Sequence, residues 1–241
     1  MNKHLTGIVA AATLLGTANA EGYDWNEARQ NLTAKRQSLA AVAAFSAVGD
    51  LNGLEKAFDN ALDNGLAINE LKELVLQLYA YTGFPRCLNA ASTLEKVVKV
   101  RQAAGKEDLT GPEPQKIPAG TDKYELGKKN LEVLAAGPLP SHPAAFIQDT
   151  DTFLKEHLFA DIFARGVLTY QEREVGTVAA LAALANVTPQ LKAHMNLALN
   201  VGVTPKEMAG IMSVVKDSVG KKIAVYGLKA MNVVLAARAG K

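Results

Sequence analysis

The stretch from Leu168 to Glu207, LTYQEREVGTVAALAALANVTPQLKAHMNLALNVGVTPKE, decides the fold. Val175, Val178, Ala179, Ala182 and Ala183 recur at spacings of three and four, which places them on one helix face. Asn186-Val187-Thr188-Pro189 breaks the run. Thr188 reads there as a cap, and Pro189 suits the first turn of a new helix. Leu191, Met195, Ala198 and Leu199 form the apolar face of that second helix, with His194 among them. Asn200-Val201-Gly202 reads as its stop, because Gly202 is free to take positive φ. Thr204-Pro205-Lys206-Glu207 is a fresh start signal: a Thr cap, Pro at the first helical position and Glu three residues after the Thr.

Outward from this stretch, the same signals recur. Trp25 lies in a polar start from Tyr23 to Gln30, and a long helix is predicted from Asn31 to Val48. A second is predicted from Leu54 to Asn64. A third is capped by Asn69, with Leu71, Leu74, Val75 and Leu78 at i, i+3, i+4 and i+7. Tyr81-Thr82-Gly83-Phe84-Pro85 interrupts it, and a fourth runs from near Pro85 to Ala104. Pro and Gly then cluster between Ala103 and Gly120, the composition of a linker. Helices are expected again at 122–136, 146–164 and 221–238. The result is an all-α chain with four segments: 1–20, a first unit at 21–104, a linker at 105–121 and a second unit at 122–241.

The two units are copies. Leu32-Thr33, Ala40, Ala43-Ala44 and Gly49-Asp50 parallel Leu168-Thr169, Gly176, Ala179-Ala180 and Ala185-Asn186. Leu54, Leu62, Gly65, Glu70 and Leu74 parallel Leu191, Leu199, Gly202, Glu207 and Ile211. A repeated unit of this kind buries its face poorly alone, so the copies are expected to pack on each other.

Composition bounds the partners. The chain has 241 residues, 49% apolar and 21% charged, with a formal charge of +2 and only 6% aromatics. Alanine-rich, aromatic-poor sequence favours closely packed helices over a β-sheet. The charge is too small, and Lys and Arg too scattered, for a nucleic-acid surface. Residues 1–20 read as a secretory signal: Lys3 and His4, an apolar run from Leu5 to Leu15, and Ala18-Asn19-Ala20 before the expected cleavage after Ala20. That run is too short to span a bilayer, no later one is long enough, and the expected location is periplasmic. Cys87 is the single cysteine, so no intrachain disulfide forms.

Arg173-Glu174, Gln190-Leu191, His194, Ala198-Leu199, Gly202-Val203-Thr204 and Glu207 together resemble the carboxymuconolactone decarboxylase family, which includes alkyl hydroperoxidase D-like proteins. Upstream, Glu70-Leu71, Glu73-Leu74 and Tyr81-Thr82-Gly83-Phe84-Pro85-Arg86 with Asn89-Ala90 carry a second match. The resemblance implies two helical units packed on each other and a trimer of such tandem chains. It leaves three activities open: decarboxylation of a small carboxylated lactone without a cofactor, thiol-dependent peroxidase chemistry, or binding of a small acid without catalysis.

The two copies keep different parts of the pattern, which points to one composite cleft and one degenerate one. His194 is a candidate acid or base near neutral pH. Glu73 and Glu174 are candidates to hold a proton or orient His194, with ion pairing to Arg173 or Arg165 the structural alternative for Glu174. Arg165 and Arg173 are candidates to clamp a substrate carboxylate, and Tyr81 to line the pocket. Cys87, in the first turn of a helix beside Arg86, is expected to have a lowered pKa. The family's peroxidases use a Cys-x-x-Cys pair. Phe84 and Ala90 stand three residues either side of Cys87, so a self-contained dithiol cycle is excluded. No spacing of His, Cys or acids fits a metal.

Overall fold

The computed structural model describes residues 22–138 and 146–240; the expected signal at 1–20 lies outside them. Among the described residues there are helices and no strands. Asp24 caps α1, Trp25–Gln30. Thr33 caps α2, Ala34–Val48, and Asp50 caps α3, Leu51–Asp63. α4, Ile68–Thr82, and α5, Phe84–Ala103, complete the first unit. α6, Lys123–Ala135, and a short α7, Gln148–Thr152, lead into a π-helix at Phe153–Ile162 and a 3-10 turn at Phe163–Arg165. α8, Tyr170–Leu184, α9, Thr188–Asn200, α10, Pro205–Val219, and α11, Lys221–Ala239, form the second unit.

The repeat is visible helix by helix. α2 and α8 have 15 residues each, α3 and α9 have 13, and α4 and α10 have 15. α4 passes into α5 through Gly83 at φ 80°, and α10 into α11 through Gly220 at φ 107°. Only glycine takes that conformation cheaply, so both corners are fixed by one residue type. α2 and α8 lie side by side at the centre through their alanine faces. Gly176 on α8 allows the close approach: a Cβ there would sit 2.5 Å from Leu74 Cδ1. Leu39, Leu74, Leu191 and Met195 are fully buried in this shared core, each stabilising the fold by about 1.5–3 kcal/mol. The first turn of α2 ties the capping acids of three other helices. Lys35 Nζ lies 2.6 Å from both Glu70 and Glu172, and Arg36 pairs with Glu207.

Several local expectations are corrected. The helix expected from Asn31 starts only at Ala34, and a separate short helix, α1, forms in the segment read as a polar start. The Asn31 amide caps the C-terminal carbonyls of Glu27 and Ala28, and Thr33 Oγ1 accepts from Arg36 N to start again. Asn69 does not cap α4. Its amide donates to the carbonyls of Gly111 and Pro112 and to Glu113, so it pins the linker instead. Thr188 is inside α9, and its hydroxyl pairs with that of Tyr226. The helix predicted from Phe146 begins at Gln148 and changes to a π-helix after one turn.

Between the units, Ala104 to Asp122 is irregular but docked. Ile68 N donates to Leu109 O, and Gln115 N to Arg165 O. α6 and the π-helix pack closely: a Cβ on Gly127 would lie 1.8 Å from the carbonyl oxygen of Lys155. Asn130 adds a 2.7 Å bond to Phe159 O. Leu134, Leu158, Phe159, Ile162 and Phe163 form a second, smaller core against Tyr79 and Tyr81 of α4 and Leu197 and Val201 of α9. This layer caps one of the two clefts between the units.

Candidate functional site

α4, α8, α9 and the 3-10 turn bring the polar residues together where the two copies meet. His194 faces inward because it follows Leu191 by three positions and precedes Ala198 by four, on the buried side of α9. Its Nδ1 lies 2.9 Å from Glu174 Oε2. Glu174 is 0% exposed and His194 is 9% exposed. The Tyr81 ring stands edge-on to the His194 ring, with centroids 5.3 Å apart at 84°. Tyr81 is partly exposed as a residue, but its hydroxyl is buried. Burial first, and the neighbouring Glu174 second, push its pKa far above the ordinary tyrosine range, so it stays a neutral hydroxyl.

Glu73 is 2% exposed and lies in a second, adjoining cluster. Arg165 Nε donates to both carboxylate oxygens, at 2.8 and 2.9 Å, and Arg173 Nη2 approaches Oε2 at 3.3 Å. Arg173 is 0% exposed. Its Nη1 donates to Gln77 Oε1 at 2.9 Å, and its guanidinium lies 5.4 Å from the centre of the Phe163 ring. Gln77 Nε2 closes the ring by donating to Arg173 O and to Thr177 Oγ1. Thr177 also borders the Tyr81 hydroxyl, which joins the two clusters without a well-formed hydrogen bond.

Of the two readings for Glu174, the structure has it meeting His194 rather than an arginine. Glu73, the other candidate for His194, is instead held by the guanidiniums expected to clamp a substrate. Of the two, Arg165 retains access: its outer edge lines a cavity of about 620 Å³ that also holds Lys116 and Lys123. Gln77, Thr177 and Phe163 escaped the sequence reading. Gln77 follows Glu73 by four residues and Thr177 follows Arg173 by four, so same-face spacing was the available signal. Cys87 lies elsewhere, in a groove between α4 and α5. Burial raises its pKa above the ordinary thiol value, the opposite of the expected shift. The helix's positive end is outweighed there by lost solvation.

Three buried polar atoms at this junction have no protein partner: Tyr81 Oη, Glu174 Oε1 and Arg173 Nε. Buried polar groups are nearly always paired with protein or with an ordered small molecule. No group of His, Cys, Asp and Glu that could hold a metal ion occurs among the described residues.

The helix register places the opposite cleft as well. Arg29, Gln37, Ser38, Ala41 and Ala57 stand where the first cleft has Arg165, Arg173, Glu174, Thr177 and His194. Gly210, Val214 and Ser218 replace Glu73, Gln77 and Tyr81. A cavity of about 360 Å³ remains there, lined by Arg29, Gln37, Ser38 and Ser218. It has lost every acid–base group of its counterpart and keeps one arginine, which pairs with Asp217 at 2.6 Å.

The fold and the site thus define a tandem all-α protein whose copies share one cleft with a buried acid–base pair. The model of the carboxymuconolactone decarboxylase family matches residues 11–96 and again residues 148–232. The chain belongs to that family, with two units in tandem. No curated protein matches it significantly.

Proposed function

We propose that the protein is a cofactor-free acid–base enzyme acting on a small carboxylated molecule, of the lactone-decarboxylating type. The observation that carries this reading is the buried His194–Glu174 pair, bordered by the unpartnered hydroxyl of Tyr81 and the unpartnered Oε1 of Glu174. A carboxylate accepting from Nδ1 fixes the tautomer, so Nε2 is the atom that takes or gives a proton. The neutral Tyr81 hydroxyl is a donor for a ligand oxygen. In a decarboxylation, the bond from carbon to carboxylate breaks, carbon dioxide leaves, and protonated His194 delivers its proton to the carbon left with the electron pair. Beyond Glu73, the outer edge of Arg165 faces a mixed-charge cavity in which Asp161 offsets Lys123.

Glu73 and Arg173 act as the buried support that sets α4 against α8, and so Tyr81 against His194. Export after cleavage behind Ala20 and assembly as a trimer of tandem chains are part of the same proposal. No helix among the described residues is long and apolar enough to cross a membrane.

The test is carbon dioxide release from a panel of small lactone carboxylates. His194→Gln and Glu174→Gln should each lower kcat by about 100-fold or more, the usual worth of a positioned acid or base, with an unchanged far-ultraviolet circular dichroism spectrum. Equal turnover by wild type and His194→Gln, or no turnover of any member of the panel, refutes the reading.

A further inference from the structure

The groove between α4 and α5 has no role in the acid–base cleft. It encloses about 530 Å³, within the range of small-molecule sites. Its floor is apolar: Val75, Leu76, Leu94 and Val98, with Cys87 and Ala91 on the α5 side. Lys72 and Lys99 stand on its rim. Glu95 offsets Lys99 at 2.6 Å, whereas Lys72 makes only a 3.3 Å bond to the neutral Asn69 side chain, so the rim keeps one uncompensated cation.

The second unit shows what this groove lacks. In the common register Val75, Ala91 and Leu94 correspond to Met212, Leu228 and Met231. Met212 and Leu228 are larger than their counterparts, Met231 is about the size of Leu94, and all three are buried between α10 and α11. Lys72 corresponds to Ala209, which is buried and carries no charge. One copy of the unit therefore narrows this space with Met212 and Leu228 and packs Trp25 of α1 beside it at Ser213, and the other holds it open and places a cation at its edge.

We propose that this groove is a binding site for an amphiphilic carboxylate, an alkyl-chain anion of medium length, with its chain along Val75 and Leu94 and its head at Lys72. The contacts require one apolar tail and one negative charge. A neutral alcohol of the same chain keeps the first and loses the second. The site is separate from the reaction proposed for His194, so His194→Gln should bind the anion as wild type does.

The experiment titrates the full-length mature protein with sodium dodecanoate below its micelle concentration by calorimetry. In parallel, the rate at which iodoacetamide alkylates Cys87 is followed by mass spectrometry. Saturable binding should slow Cys87 alkylation by about tenfold, equivalent to ~1.4 kcal/mol. Ala91→Leu, at an exposed position, installs the side chain found at Leu228 and should abolish both signals while the circular dichroism stays unchanged. Lys72→Gln should weaken dodecanoate by about tenfold and leave dodecanol binding unaltered. The proposal is overturned if dodecanoate neither binds nor protects Cys87, or if Ala91→Leu binds as well as wild type. It is also overturned if dodecanoate fails to bind and Ala91→Leu dissociates an oligomer by light scattering, because the groove is then covered by another copy of the chain.

Discussion

Glu73→Ala isolates the contribution of the buried charge cluster. The substitution leaves two guanidiniums without their carboxylate. Arg165, 28% exposed on its side chain, can turn to water and loses little. Arg173 is fully enclosed and has no such route. It keeps Gln77 Oε1 and the face of Phe163 as partial compensation. Removing one partner of a buried pair generally costs about 3–5 kcal/mol, and this compensation places the loss near the lower end, about 3 kcal/mol. Against a typical total of about 5–15 kcal/mol, that is a large fraction. At about 2–4 °C per kcal/mol for a chain of this size, Tm should fall by roughly 6–12 °C.

Urea unfolding followed by circular dichroism measures the loss, and the double variant Glu73→Leu with Arg173→Met tests its cause. With both charges gone, stability should return to within about 1 kcal/mol of wild type, the remainder being the donor that Gln77 Oε1 no longer has. A Glu73→Ala cost below about 1 kcal/mol, or a double variant no more stable than the single, would refute the argument that an orphaned Arg173 sets the cost.

Gly127→Ala forces a methyl group onto the Lys155 carbonyl, a backbone atom that cannot step aside. It should cost about 1–3 kcal/mol as overpacking and loosen the α6 layer, seen as faster amide exchange in α6 and the π-helix than in α2. The raised pKa of Cys87 means that the folded state favours the protonated thiol. Its contribution to stability is full below the unfolded value and is lost as pH rises through the folded value, above about 9. Iodoacetamide should accordingly react with it more slowly at pH 8 than with a free thiol, and a faster reaction would contradict the burial argument. Light scattering on the mature protein should give a mass near three chains, and a clean monomer would exclude the trimer of tandem units.

Much of the fold was legible because its signals are local. Thr204 starts a helix by bonding a backbone amide three residues on, and Gly83 turns a corner at positive φ; Thr33, Thr169 and Gly220 carry the same signals, although the helix expected from Asn31 runs straight through Thr33. Each of these can be read in a window of a few residues. The duplication was legible for the same reason, since it repeats those windows. Asn69 and Thr188 misled because a good capping residue can be drawn away by a distant partner, here the linker and Tyr226. The site was legible in its residue types and much less in its pairing. His194 and Glu174 are twenty positions apart on two helices, and Arg165 and Glu73 are ninety-two apart. Which carboxylate meets the imidazole depends on how α4 sits against α8, which no spacing encodes.

The two clefts differ in ways that bear on function. Both arise from the same helices in the same register, so their backbone geometry is shared and the differences lie in side chains and cover. One has Glu174, His194, Tyr81 and Glu73, and it lies under the α6 layer. The other has Ser38, Ala57, Ser218 and Gly210, and its cover is the short α1 with the turn after it, which lays Ala28 and Leu32 against Gly210 and pairs Arg29 with Asp217. A polar cluster kept only for packing has no physical need of a cover, since its charges are better solvated in contact with water than beneath apolar side chains. An acid–base pair does benefit from one, because a proton transfer is favoured where solvent is excluded and the surrounding dipoles are fixed. The α6 layer is held over that cleft by Gly127 and by the bond from Asn200 to Leu134 O. Loosening it by Gly127→Ala should therefore reduce turnover as well as stability, while the His194–Glu174 pair itself remains intact.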